Sequence, residues 1–219
     1  VEARWDGAPE QGLFMKKGGR GFPYCVIMNP EGKVVWEVRP SDADRWAKGV
    51  ENARKVVALQ EASKKNPADQ AAKANLALLS ALGCQQRDPG PLGKLEAQAK
   101  VAGVDKKLLD RFNSWLPNKK FDAAFMKAVK GASRSEVGSR LLALYKKGVL
   151  PPKGNRYAGN LYYYAASAAI DANDLETARK AVAEFEKAVA ANPRAKRAVD
   201  ALKNKLAKAE GGGEEGDDP

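Results

Sequence analysis

Two short apolar runs, Tyr24-Cys25-Val26-Ile27-Met28 and Lys33-Val34-Val35-Trp36-Glu37-Val38, flank Asn29-Pro30-Glu31-Gly32. Proline sets φ early in a turn and glycine accepts positive φ late in it, so this pattern predicts an antiparallel β-hairpin. After Pro40 the rhythm changes. Ser41-Asp42-Ala43-Asp44 supplies an N-cap with acidic residues in the first turn, and Trp46, Val50, Ala53, Val57 and Leu59 form an apolar stripe. The predicted helix runs to Lys65 and stops at Asn66-Pro67, because the residue before a proline is pushed out of the helical region.

From Pro67 onward the pattern is helical, punctuated by glycine and proline. Helices are predicted over Asp69 to Leu82, Pro91 to Val101, Asp105 to Trp115, Lys119 to Lys130, Ser133 to Lys147, Arg156 to Ala172, Leu175 to Ala191 and Pro193 to Ala209. Gly83, Gly103, Gly131 and Gly148 are placed as C-terminal caps, and Asp105 and Ser133 as N-caps. The loop over 149–155, with its Pro151-Pro152, is the expected seam inside the helical part. Tyr157, Leu161, Tyr164 and Ala168 share one helical face, which makes Tyr162-Tyr163-Tyr164 part of a helical core with hydroxyls at its rim. Val199, Leu202 and Leu206 share a face of the last helix, and its many lysines read as a solvated surface. The end, 210–219, is acidic with nothing apolar to bury, and it is expected to be disordered.

Charge sharpens this division. The 219 residues carry a formal net charge of +11, distributed as +3 over 1–66, +13 over 67–209 and −5 over 210–219. Such a basic body admits sequence-independent phosphate binding, although no groove-reading motif accompanies it. Histidine is absent, which removes Ser-His-Asp and Cys-His catalysis, histidine-ligated zinc and histidine pH switching. Cys25 and Cys84 stand 59 positions apart, so they form neither a C-x-x-C pair nor a metal-ligand spacing. Both sit in apolar contexts that suit buried thiols, while a single bridge in an oxidising compartment is the other option. There is no P-loop, no G-x-G-x-x-G, no EF-hand and no carboxylate pair at catalytic spacing. No catalytic, cofactor or metal-binding residue is therefore assigned. No apolar run is long enough for a membrane span. The chain begins at Val1 without an initiator methionine, which points to a removed upstream segment and to export, periplasmic or secreted.

Gly21-Phe22-Pro23-Tyr24, an apolar strand, Asn-Pro-Glu-Gly-Lys, a second strand and a long helix together resemble the C-terminal half of a thioredoxin-fold domain. Pro9 to Gly18 is similar to the helix that precedes the proline loop in that family, and Val1 to Trp5 to the end of the strand before it. The resemblance implies that Pro23 is a cis proline and that Phe22 presents its backbone to an extended peptide. A cis X-Pro bond costs only about 0.5 to 1 kcal/mol and reverses the chain sharply, which exposes backbone groups for pairing. The family's catalytic C-x-x-C would lie upstream of Val1, so thiol-disulfide exchange would be carried out by cysteines outside this chain. The first strand is then left with an open edge, to be covered by the missing N-terminal half or by a protein partner.

Asn66-Pro67-Ala68-Asp69 with Ala74 to Gly83, and the stretch Leu161 to Pro193, resemble tetratricopeptide repeats. In the second stretch small residues allow close helix approach, Ala172 to Ala178 makes the turn, and Asn192-Pro193 closes the unit. The period is degenerate, and 85–153 does not fit it. The fold class expected is an α+β N-terminal portion over 1–65 joined to an α-helical, repeat-like region over 66–209, with the acidic tail beyond. The function expected is a thioredoxin-like thiol-redox or peptide-binding module with a helical protein-interaction region. The alternatives are a noncatalytic scaffold that binds partners through its helices, and nonspecific nucleic-acid binding by the basic body.

Overall fold

The computed structural model describes residues 9–19, 24–38, 43–84 and 90–211. Phe22, Pro23, the Ser41-Asp42 cap and the acidic tail beyond 211 lie outside them. The N-terminal part is α+β and the remainder α-helical, as the hydrophobic pattern predicts. The elements run α1 (Pro9–Lys16), β1 (Cys25–Met28), β2 (Val34–Val38), α2 (Ala43–Lys65), α3 (Gln70–Leu82), α4 (Leu92–Gln98), α5 (Lys106–Val129), α6 (Arg134–Lys146), α7 (Ala158–Asp171), α8 (Leu175–Val189), a 3-10 turn (Pro193–Ala195) and α9 (Lys196–Gly211).

The chain divides into two compact units, Val1–Leu116 and Pro117–Pro219. This packing groups the hairpin with α3, α4 and the first half of α5, across the point near residue 65 where the sequence pattern turns wholly helical. The division falls at Pro117, inside α5. Two helices were expected here, and one helix runs through the proline instead. A proline inside a helix removes one backbone donor and crowds the preceding turn, which is why a break was expected, yet α5 continues through Pro117.

In the first unit β1 and β2 pair antiparallel, with Ile27 opposite Trp36 and Cys25 opposite Val38. Asn29 closes the turn: its Oδ1 accepts from the Lys33 N–H at 2.8 Å, and Gly32 takes the positive φ of 70° that the turn requires. Val35, Trp36, Glu37 and Val38 are all buried, so both faces of β2 are covered. Trp36 lies between Gly49 of α2 and Gly83 at the end of α3. Gly83 does cap α3, but with a right-handed φ of −74°. What it supplies is room, since a Cβ there would come within 2.7 Å of Trp36 Cε3. The Glu37 N–H donates to the Gly83 carbonyl at 3.1 Å and ties β2 to the same point. Gly103, Gly131 and Gly148 have the positive φ expected of them.

Along α2 the buried residues are Gly49, Ala53 and Val56, whereas Trp46 and Val50 are exposed. The buried face is thus rotated from the stripe read off the sequence, because Val38 requires a glycine at position 49: a Cβ there would sit 2.9 Å from Val38 Cγ2. Leu78, Leu79, Leu95, Leu108 and the fully buried Phe112 complete this core.

In the second unit α6, α7, α8 and α9 pack in sequence order. Ala165, Ala166 and Ala169 of α7 and Ala178 and Ala181 of α8 have no exposed surface, so small residues set the helix approach. Asn173 takes a φ of 55° at the turn, and Asp174 caps α8 by accepting from the Thr177 N–H at 3.2 Å. The aromatic run is phased differently from expectation. Leu161 and Tyr162 are buried, while Tyr163 and Tyr164 are exposed because the alanines, not Tyr164 and Ala168, form the buried stripe. Val199, Leu202 and Leu206 of α9 are buried on one face as expected.

Candidate functional site

The residues 55–62 of α2 carry a second face besides the one in the core. Lys55, Ala58, Leu59 and Ala62 recur at i, i+3, i+4 and i+7, so they line one side of the helix. On α5, Leu108 and Arg111 stand three apart and Lys107 and Arg111 four apart, which places them on a common face as well. Between these faces, with Leu79 of α3 at its floor, lies a groove of about 630 Å³. That volume is within the range of sites that hold small molecules or inserted side chains. Ala58 and Ala62 are exposed alanines, and it is their small size that leaves the groove unfilled.

Polar contacts fix the groove's walls. Asn75 Oδ1 of α3 accepts from the Asp105 N–H at 2.9 Å, and Asp105 Oδ1 in turn caps α5 by accepting from the Leu108 N–H at 2.7 Å. Arg111 Nη1 reaches Asn52 Oδ1 of α2 at 3.4 Å. The rim is cationic. Lys55 pairs with Glu51 at 2.5 Å, an exposed contact that holds the Glu51 carboxyl below its ordinary range first by the hydrogen bond and then by charge. Such exposed pairs are screened by solvent and contribute little, so Lys55 remains available to a competing anion. Lys107 makes no ion pair among the described residues. Among the described residues the carboxylate lining the groove is Asp105, which caps α5 in its charged form.

The hairpin offers a second surface. Among the described residues β1 pairs with β2 alone; its half-buried Cys25 and Ile27 face the core and Met28 is exposed. Tyr24 is anchored beside the strand, with its hydroxyl donating to the Lys17 carbonyl and its ring edge-on to Phe14 at 5.6 Å. Phe22 and Pro23, the residues that the thioredoxin resemblance assigns to peptide binding, immediately precede this strand and lie outside the described residues.

The two cysteines behave as packing side chains. Cys84 is buried and its thiol donates to the Ser80 carbonyl at 3.3 Å, while Cys25 is half-buried on β1. No cluster of three or more cysteines and carboxylates suited to a metal ion occurs among the described residues.

Several polar groups of the second unit are partnered within it. The loop over 149–155 is held inside it: Asn155, 8% exposed, donates to Asn118 Oδ1 at 3.1 Å and Asp122 Oδ1 at 2.9 Å and accepts from the Tyr157 N–H at 2.8 Å. Its cations are interleaved with acids, as in Lys146–Asp174, Arg179–Glu210, Lys203–Glu186 and Lys205–Asp171. The Asp174 carboxyl is lowered to about 2, first by the hydrogen bond from Lys146 and then by those from Thr177. At Glu136 the carboxylate accepts from the Ser133 N–H at 2.8 Å, and with Arg140 this lowers it to about 2 as well.

Sequence reading found the hairpin edge but missed the groove. The signal was present as the 55, 58, 59, 62 spacing, which merged with the core stripe because Leu59 and Val57 were assigned to one face. In comparison with known proteins, no family model, no curated protein and no solved structure matches the chain.

Proposed function

We propose that the chain is a peptide-binding, protein-interaction module. Its first unit holds a segment of a partner in the α2/α3/α5 groove, and the helices of its second unit provide a scaffold. The observation that carries this reading is an apolar groove with a cationic rim, lined by three helices that the Asn75–Asp105 and Arg111–Asn52 hydrogen bonds link. A preformed concavity of this kind lowers the ordering cost of binding. Nonspecific nucleic-acid binding has the second unit's excess of lysine and arginine in its favour and no further observation beside it.

A second reading is supported by β1, which pairs with β2 alone among the described residues: strand addition by an extended peptide, as the thioredoxin resemblance implies for Phe22 and Pro23. In its thiol-redox form the exchanging cysteines lie outside this chain.

Selection of random peptides on the immobilised protein tests the groove. The double variant Ala58→Arg, Ala62→Arg fills it with long side chains at two exposed helical positions, where folding is little affected. Peptides enriched on the wild type should fail to bind the variant. Enrichment of nothing, or equal binding to both proteins, contradicts the groove; peptides that bind both and are extended would favour the strand edge.

A further inference from the structure

We infer that the occupant of the groove is a short acidic amphipathic helix of a partner protein, an inference that rests on the groove being a binding site. Three features select it. The walls are helices, whose backbone groups are already paired within themselves, so the groove offers no ladder to a strand. An extended peptide would lay unpaired N–H and C=O groups against Ala58, Leu59, Leu79 and Leu108, whereas a helix satisfies its own backbone and presents only side chains.

The second feature is length. The lining from Lys55 to Ala62 spans about 10 Å along the axis of α2, two helical turns. Two turns accommodate three apolar anchors spaced i, i+3 or i+4, and i+7.

The third is charge. Three cations stand on both walls, Lys55 on α2 and Lys107 and Arg111 on α5, against one lining carboxylate, the capping Asp105, and Glu51 beside Lys55, so the rim keeps a positive excess. A helix with carboxylates on either side of its apolar stripe meets both walls at once. A fatty acid has one carboxylate and meets one.

The test uses the full chain and a fluorescently labelled, alanine-based peptide of about 15 residues, long enough to retain helicity in solution. It carries leucines at i, i+4 and i+7 flanked by glutamates, and a control peptide has lysine at every glutamate. Anisotropy titrations should show binding of the acidic peptide, at least about tenfold weaker binding of the lysine peptide, and weakening by Lys107→Glu and by added salt. Ala58→Arg, Ala62→Arg should remove binding. If both peptides bind equally and the groove-filling variant still abolishes binding, the acidic occupant is overturned and the groove stands. If dodecanoate binds and neither peptide does, the occupant is a small amphiphile and the inference is overturned. If neither peptide binds while display-selected peptides bind in the groove, the helix is overturned and the binding function stands; if the selection also yields nothing, both fall.

Discussion

Alanine does opposite work at the α7/α8 contact and on the groove face of α2. In the second unit Ala165, Ala166, Ala169, Ala178 and Ala181 are wholly buried, and their small side chains bring α7 and α8 together without a gap. In the first unit the core is closed by large rings, Trp36 and Phe112, while Ala58 and Ala62 face outward and leave a concavity. The same residue type yields a sealed interface in one place and an open groove in the other, because what matters is whether a second helix covers the face. A region that buries its small residues has spent them on stability, and a region that exposes them beside apolar neighbours has room for a partner.

The contrast can be attacked unit by unit, since the sequence from 117 onward has no tryptophan and Trp36, Trp46 and Trp115 lie in the first unit. Tryptophan fluorescence therefore follows the first unit, and far-ultraviolet circular dichroism follows both. The largest effect is expected from Phe112→Ala, which empties a fully buried ring site and should cost about 3 to 5 kcal/mol, read as an early tryptophan transition. Ala165→Leu should cost about 1 to 3 kcal/mol by overpacking the α7 face, with a circular dichroism change that tryptophan emission does not share. Equal shifts of both signals by either variant would show that the units do not melt separately.

Gly83→Ala is the counterpart in the first unit. The added Cβ would meet the rigid Trp36 ring at 2.7 Å, so a loss of about 1 to 3 kcal/mol with a shifted tryptophan emission maximum is expected. A variant as stable as the wild type would mean that Trp36 does not need that space. Asn155→Ala should cost about 1 to 3 kcal/mol, because it leaves partners at Asn118, Asp122 and the Tyr157 N–H without their contact. Unchanged stability there would restore the 149–155 loop to the role of a seam.

The smallest effect is acid-dependent. Asp174 has its pKa depressed from 3.8 to about 2, so its contribution is present above its unfolded value and is lost as pH falls from about 4 through about 2. Asp174→Asn keeps a side-chain acceptor for the Thr177 N–H but cannot titrate. Circular dichroism melts of this variant should vary less with pH across that window than those of the wild type, and parallel curves would contradict the assignment.

Much of the fold was readable because local chemistry and tertiary structure agree. Asn29-Pro30-Glu31-Gly32 makes its turn from its own residues, Asn66-Pro67 ends α2 at Lys65, and the Ser133–Glu136 pair caps α6. The errors occur where a distant residue decides. The buried face of α2 is set by Gly49 against Val38, the buried face of α7 is set by alanines that match α8, and Pro117 is held in a helix that its own preference opposes. The groove escaped for the same reason. The face of α2 that borders it reads as apolar and small, and only the placement of α5 opposite, fixed by the Asn75–Asp105 contact thirty residues apart, turns it into a concavity.

Amide hydrogen exchange on the full chain, with and without the acidic amphipathic peptide, tests the central claim most directly. The account predicts added protection at residues 55–62 and 105–111, with the second unit unchanged. Protection confined to residues 117–211, or to the β1 strand alone, would contradict it.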